Sequence, residues 1–295
     1  MAKSKRCIVV AESDSHGGNK LGLLNPNTLL LEEEIHDDGE TIIDWYSPTL
    51  TKTQEQLWSI RQNGMDKVKN LAGKDPIHVL ELGDLTQGNK YPTEQVSVRD
   101  GDQELIAYYN ILPWYELENV RSVIYSKGTG SHTFGLGSSE INLCHRFKRE
   151  YKKIKSEISY HWLLDIGGVT FDTAHHGPGS GLRHWLKGNN ARYYLKDLMY
   201  TEFFAGRKPP DVVLRAHYHT YIKELVTMSF QDEEYESWIY ILPPLCIPGD
   251  FAIQIIRSVY SIQAGILAWE IVDGQIRKAY KFTQSFDTRA KAKLL

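Results

Sequence analysis

Short apolar runs recur along the chain, and several end in a knot of polar residues. Cys7 to Ala11 (C-I-V-V-A) is the first. A run without polar alternation marks a strand covered on both faces. Ile77 to Leu82, Val120 to Ser126, Val169 to Ala174 and Asp211 to Arg215 are also predicted strands. Helical spacing lies between them. Thr51 to Ala72 sets Leu57, Ile60, Val68 and Leu71 near one face, and Gly73 suits the C-terminal cap. Asp102 to Tyr115, the charged segment Ser139 to Ile158, and Asn190 to Ala205 are the other predicted helices.

Turn formers divide the remainder. Gly167-Gly168 separates Trp162 to Ile166 from Val169 to Ala174, a two-residue hairpin turn. Asp273-Gly274 does the same between Ile262 to Val272 and Gln275 to Phe282. Strand patterns dominate from Tyr221 onward, with Tyr221 to Met228 and Trp238 to Leu242 the earlier two. Asn19 to Pro48 carries Asn25-Pro26-Asn27 and Asp37-Asp38-Gly39, and reads as an excursion with room for one short hairpin. Strand–helix alternation followed by strands predicts two sheets packed face to face with helices outside, as one α/β domain over residues 1–295.

Composition narrows this picture. With 295 residues, 41% of them hydrophobic, the chain can bury a large core. A net charge of −3 creates no global attraction for nucleic acid or an anionic membrane. Lys148, Arg149, Lys152, Lys153 and Lys155 read as the solvated face of one helix. The three cysteines, Cys7, Cys144 and Cys246, are far apart and form no C-x-x-C pair, which suits a reducing compartment. The apolar run after the basic N-terminus is too short for a secretion signal, and no stretch reaches the roughly 18 apolar residues of a membrane helix. A soluble cytoplasmic protein is the expectation.

The candidate chemistry lies where strands give way to loops: Asp14-Ser15-His16, Gly83-Asp84, His132, His175-His176 and His217-Tyr218-His219. On a strand, residues i and i+2 point the same way, so Asp14 and His16 can grip one ion if the extended geometry persists. His217 and His219 share that spacing, although in a bend their rings could diverge to adjacent ions. Asp84 offers two oxygens that can bridge two cations. Imidazole mixed with carboxylate suits Mn, Fe or Zn better than Ca or Mg. Two such ions can clamp both the attacking and leaving oxygens of a displacement at phosphorus. Either His175 or His176 can serve as the ligand, and His175 is favoured because it directly follows its strand.

These blocks, spread over about residues 7 to 220, resemble the calcineurin-like metallophosphoesterases, whose pattern is D-x-H, G-D, G-N-H, H, G-H-x-H. The segments around them look most like versions encoded by phages and prophages. The resemblance implies a four-layer α-β-β-α sandwich of two mixed β-sheets flanked by helices, with strands over 221–283 completing the second sheet. It implies two divalent metal ions, Mn first, with Fe, Zn or Mg as alternatives. Asp14, His16 and His219 would hold one ion, Asp84 would bridge, and His175 and His217 would hold the second. His132 would assist the leaving oxygen while a hydroxide between the ions attacks. The substrate would be a phosphate ester, with a nucleic-acid or nucleotide diester preferred to a phosphomonoester or phosphoprotein. The Asn of the third block is Ser131 here, with Thr129 and Gly130 close by, and the Gly of the last block is Ala216. A degenerate member serving as a binding module is the alternative that Ser131 motivates. His176, Arg183 and Ser131 are candidate substrate contacts.

Overall fold

The computed structural model describes residues 5–35, 41–90, 94–134, 138–179, 186–249, 261–287 and 289. The chain begins with β1 (Arg6–Glu12), the hairpin β2 (Leu30–Ile35) and β3 (Thr41–Tyr46), then α1 (Lys52–Ala72) and β4 (Ile77–Glu81). There follow α2 (Asp100–Tyr115), β5 (Val120–Ser126), α3 (Ser138–Glu150), β6 (Lys155–Ser159), β7 (His161–Ile166) and β8 (Val169–Ala174). The last part holds α4 (Asn189–Phe204), β9 (Val212–Arg215), β10 (Ile222–Phe230), β11 (Glu233–Ile241), β12 (Ser261–Val272) and β13 (Gln275–Asp287).

Two mixed sheets result. One has the order β13-β12-β1-β4-β5-β6, the other β10-β11-β9-β8-β7. Within the first, β1, β4, β5 and β6 run parallel; within the second, β8, β9 and β11 do. The continuous apolar runs now have their reason. In β1, Cys7, Val9 and Ala11 face the other sheet, packing in one core with Phe171, Leu214 and Trp269. Ile8 and Val10 face outward to Leu57, Met65 and Val68 of α1. On the far side of the second sheet, Ala191, Leu195 and Met199 of α4 cover Val213, Ile239 and Ile241. The layers are therefore helix, sheet, sheet, helix, as predicted.

The predicted C-terminal cap of α1 is present, and an N-terminal one joins it. Thr51 Oγ1 accepts from the Gln54 N–H (3.2 Å) while Gln54 Oε1 accepts from the Thr51 N–H (2.9 Å), a reciprocal capping box. Gly73 closes the helix with φ +57°.

Two expectations are corrected. The strands over 221–283 do not all complete the second sheet: β10 and β11 join it, but β12 and β13 join the first. β12 is apolar on both faces and lies antiparallel beside β1, with Ile266 against Gly64 of α1. The charged helix does not reach Ile158. It ends at Glu150, and after a turn Ile154 and Ser156 are buried on either side of exposed Lys155, a two-residue period that belongs to the edge strand β6. Abundant Lys and Glu, good helix formers, had hidden this switch of period. The basic residues are exposed as expected, but they are spread over a helix end, a turn and a strand.

Candidate metal centre

Every polar knot sits at the C-terminal end of a parallel strand: β1 delivers Asp14 and His16, β4 Asp84, β8 His175 and β9 His217 and His219. The strand ends hydrogen-bond to one another, Asp14 N to the Gly83 carbonyl (3.0 Å) and Ala216 N to the His175 carbonyl (2.9 Å). The knots therefore converge on one edge of the sandwich, the place where such sheets bind ligands.

The convergence does not come from extended backbone. Asp14, His16, Asp84, His217 and His219 all have positive φ, between 43° and 73°. The other described non-glycine residues with positive φ are Gln231, Asp232 and Asp273, in the β10–β11 and β12–β13 turns. A left-handed residue costs roughly 1–2 kcal/mol when it carries a Cβ. Five at one site are strain held by the fold, the pattern expected where function sets the geometry. The i, i+2 argument is thus replaced: each left-handed residue turns its chain sharply and swings its side chain toward a shared centre.

Asp14, His16 and His219 form the first group. Asp14 Oδ2 accepts from Ser13 Oγ (2.7 Å) and the His217 N–H (3.4 Å). Its buried Oδ1 makes no hydrogen bond, although His219 Nε2 is 3.2 Å away. His16 Nε2 and His219 Nε2 are themselves 3.2 Å apart. Burial, with His132 and His219 nearby, pushes His16 down to about 3, so its ring is neutral and offers an electron pair. Burial opposes the charge on Asp14, yet His219 holds its carboxyl down at about 2. Three donor atoms thus meet at one point: without metal, and despite the burial of His219, Cys246 and Asp14 favour a proton on it, and a cation in the proton's place would meet all three. Cys246, which no pattern in the sequence had singled out, has Sγ 3.7 Å from His219 Nδ1 and so orients that ring from behind.

The second group surrounds Asp84. His175 Nδ1 bonds the Leu82 carbonyl, which turns Nε2 toward Asp84 Oδ2 at 3.0 Å. Burial disfavours a charged His175, but Asp84 overrides it and raises the ring to about 9. His217 Nδ1 lies 3.9 Å from the same oxygen. His176 is exposed at the rim, its ring 4.9 Å from that of His217. Thr129 Oγ1 stands among them, and Thr129 N–H donates to Asp84 Oδ1 (2.6 Å).

The loop is held from below by Glu140, wholly buried in the first turn of α3. Its carboxyl accepts from Asp84 N–H (2.9 Å) and Gly128 N–H (3.0 Å). Burial pushes it up to about 7 against those two bonds. Gly83 (φ +84°) lies so close to Gly128 that an added Cβ would stand 2.7 Å from its backbone.

His132 lies at the boundary of the groups, its ring 4.5 Å from that of His16 and perpendicular to it. Its Nδ1 bonds the Gln87 carbonyl at 2.6 Å, which leaves Nε2 as the available nitrogen. The Ser131 carbonyl packs against Gly88. Arg183 lies outside the described residues.

Buried Asp and His groups here can hold metal: their donor atoms fall within 4.8 Å of one another in four overlapping sets, which together include Asp14, His16, Asp84, His132, His175, His176, His217, His219 and Cys246. The donor chemistry, nitrogen-rich with one or two carboxylates, fits a first-row divalent ion. Among the described residues no helix is long and apolar enough to cross a membrane. No protein-family model matches this chain, and no curated protein matches it.

Proposed function

We propose that this chain is a metal-dependent phosphoester hydrolase of the calcineurin-like type. One observation carries the reading: Asp14/His16/His219 and Asp84/His175/His217 lie side by side at one edge of the sandwich, with His132 beside His16 and Asp84. Asp14, His16 and His219 would hold one divalent cation, His175 and His217 a second, with Asp84 between. Manganese is the first candidate, then iron, zinc or magnesium. When bound, such ions supply Lewis acidity toward a phosphoryl oxygen and lower the pKa of water toward neutrality.

The chain's own residues do the remaining work. His132 keeps its Nδ1 proton on the Gln87 carbonyl in either charge state, so Nε2 is the atom that gains and loses a proton. A protonated Nε2 can donate to the leaving alkoxide, a role worth about 10²–10⁴-fold. Glu140 fixes the backbone beneath Asp84 and Gly128. Rim residue His176 is available to a phosphoryl oxygen. The preferred substrate is a nucleotide or nucleic-acid diester. The alternative of a binding module without catalysis drew on the missing Asn, and Thr129 among the second group of donors counts against it.

The test is turnover by metal-stripped protein supplied with Mn, using a chromogenic aryl diester and monoester, cyclic nucleotides, and single- and double-stranded DNA. Mn-dependent hydrolysis abolished in Asp84→Asn and reduced in His132→Ala is expected. Absence of turnover with every metal and substrate, or full activity in Asp84→Asn, would overturn the reading.

A further inference from the structure

We infer that Thr129, and not Ser131, supplies the hydroxyl ligand of the second cation site. The inference rests on the reading above and concerns a residue that departs from the motif the chain resembles.

Thr129 Oγ1 has four polar neighbours: Asp84 Oδ2 at 3.2 Å, His175 Nε2 at 3.3 Å, His176 Nε2 at 3.4 Å and His217 Nδ1 at 3.1 Å. Donors about 2.1 Å from one ion stand ~3.0 Å apart at a right angle and ~3.4 Å apart in a tetrahedron. All four distances fall in that interval, as does the 3.0 Å between Asp84 Oδ2 and His175 Nε2. Asp84 Oδ2, His175 Nε2 and Thr129 Oγ1 are therefore mutually spaced as the edges of one coordination shell, while His217 Nδ1 keeps that spacing to Thr129 but lies 3.9 Å from Asp84 Oδ2.

His175 commits Nδ1 to the Leu82 carbonyl, so Nε2 is the atom it turns into the group, 3.0 Å from Asp84 Oδ2. Without metal, a proton between these two atoms and the Thr129 hydroxyl hydrogen hold the cluster together. A cation in the proton's place would take Asp84 Oδ2, His175 Nε2 and the hydroxyl oxygen together.

Position, too, is built rather than accidental. Gly128 N–H is held by Glu140 and Thr129 N–H by Asp84, so two successive anchors fix the hydroxyl. A side chain at position 128 would meet Asp84 N and Oδ1, which leaves 129 as the first position able to enter the group. Ser131 lies two residues further on, with its carbonyl against Gly88.

The experiment is calorimetric titration of metal-stripped protein with Mn(II), read as stoichiometry and affinity, on wild type, Thr129→Val, Thr129→Ser and Ser131→Ala. Wild type is expected to take up two ions. Thr129→Val should retain the tighter ion and lose about tenfold or more in affinity for the weaker, in the range seen when a metal site loses a supporting group. Thr129→Ser should restore it, and Ser131→Ala should leave both ions as in wild type. Two ions bound equally well by Thr129→Val, or a loss confined to Ser131→Ala, overturns the assignment. A single ion in wild type overturns it as well, while leaving the first group intact. No ion at all overturns the proposed function itself. Should Thr129→Val fail to fold, Thr129→Ser against Ser131→Ala still decides: the first must bind both ions, and the second must not lose one.

Discussion

His16 Nε2 and His219 Nε2 face each other across 3.2 Å, although their residues come from different sheets and lie 203 positions apart. Without metal, and despite burial, Cys246 and Asp14 favour a proton on His219; a cation in its place would meet both rings and the unpaired oxygen of Asp14.

Metal binding there should appear as stability. A cation at one hundred times its dissociation constant adds about 2.7 kcal/mol, which for a chain of this size is roughly 5–10 °C in melting temperature. Thermal melts of stripped protein with and without Mn measure this. In His16→Ala the increment should fall to less than half, and an unchanged increment would remove the first group from consideration.

The left-handed backbone gives an unusual ranking of substitutions. Glycine normally destabilises relative to alanine, but at φ +73° the order reverses. His217→Gly should exceed His217→Ala in metal-free stability by about 1 kcal/mol, as read by urea unfolding. Both should bind metal less tightly than wild type. Equal stability of the two variants would mean that the backbone at 217 is not strained.

Glycine crowding predicts a paired contrast. Gly83→Ala combines φ +84° with a 2.7 Å approach to Gly128 and should cost more than about 2 kcal/mol. Gly101→Ala, near the start of α2 with open space around it, should be neutral or stabilise by up to about 1 kcal/mol. Denaturant midpoints of the two variants check both signs.

Buried Arg215, immediately before Ala216 and His217, pairs with Asp172 at 2.6 Å. Burial opposes the Asp172 charge, but His161 and Arg215 together hold its carboxyl below the ordinary value. A depressed carboxylate contributes stability above its unfolded pKa, and that contribution is lost as pH falls through the folded one. Asp172→Asn should therefore cost about 3 kcal/mol near neutrality, leaving a buried guanidinium uncompensated. The gap to wild type should narrow below about pH 4. Urea melts at pH 7 and pH 3 give the comparison, and a gap independent of pH would exclude the pair as its source.

The sheets and the location of the site were readable because buried parallel strands announce themselves as unbroken apolar runs, and their ends are where polar residues must leave the core. β1 carried that signal outright, β4 and β9 carried most of it, and β8 (V-T-F-D-T-A) was marked by the Gly167-Gly168 turn before it. Other features depend on backbone geometry that spacing does not encode. Asp14 and His16 converge through left-handed turns, not through strand alternation. Thr129 enters the second group because Gly128 abuts Asp84, a contact made across 44 residues of chain. Cys246 reaches His219 from a loop that follows β11, with no local motif to mark it. β6 was masked by helix-favouring composition, and the placement of β12 beside β1 is a long-range pairing.

Asp14 and His16 hang from the larger sheet, His217 and His219 from the smaller, and beneath them the two layers meet through side chains of Val9, Phe171, Leu214 and Trp269. An ion seated between these groups would act as a rivet at one rim of an otherwise greasy joint. Stripping it should quicken amide hydrogen exchange at that rim first, in the residues just after β1 and β9, while the opposite rim around Ile166 and Val169 stays slow.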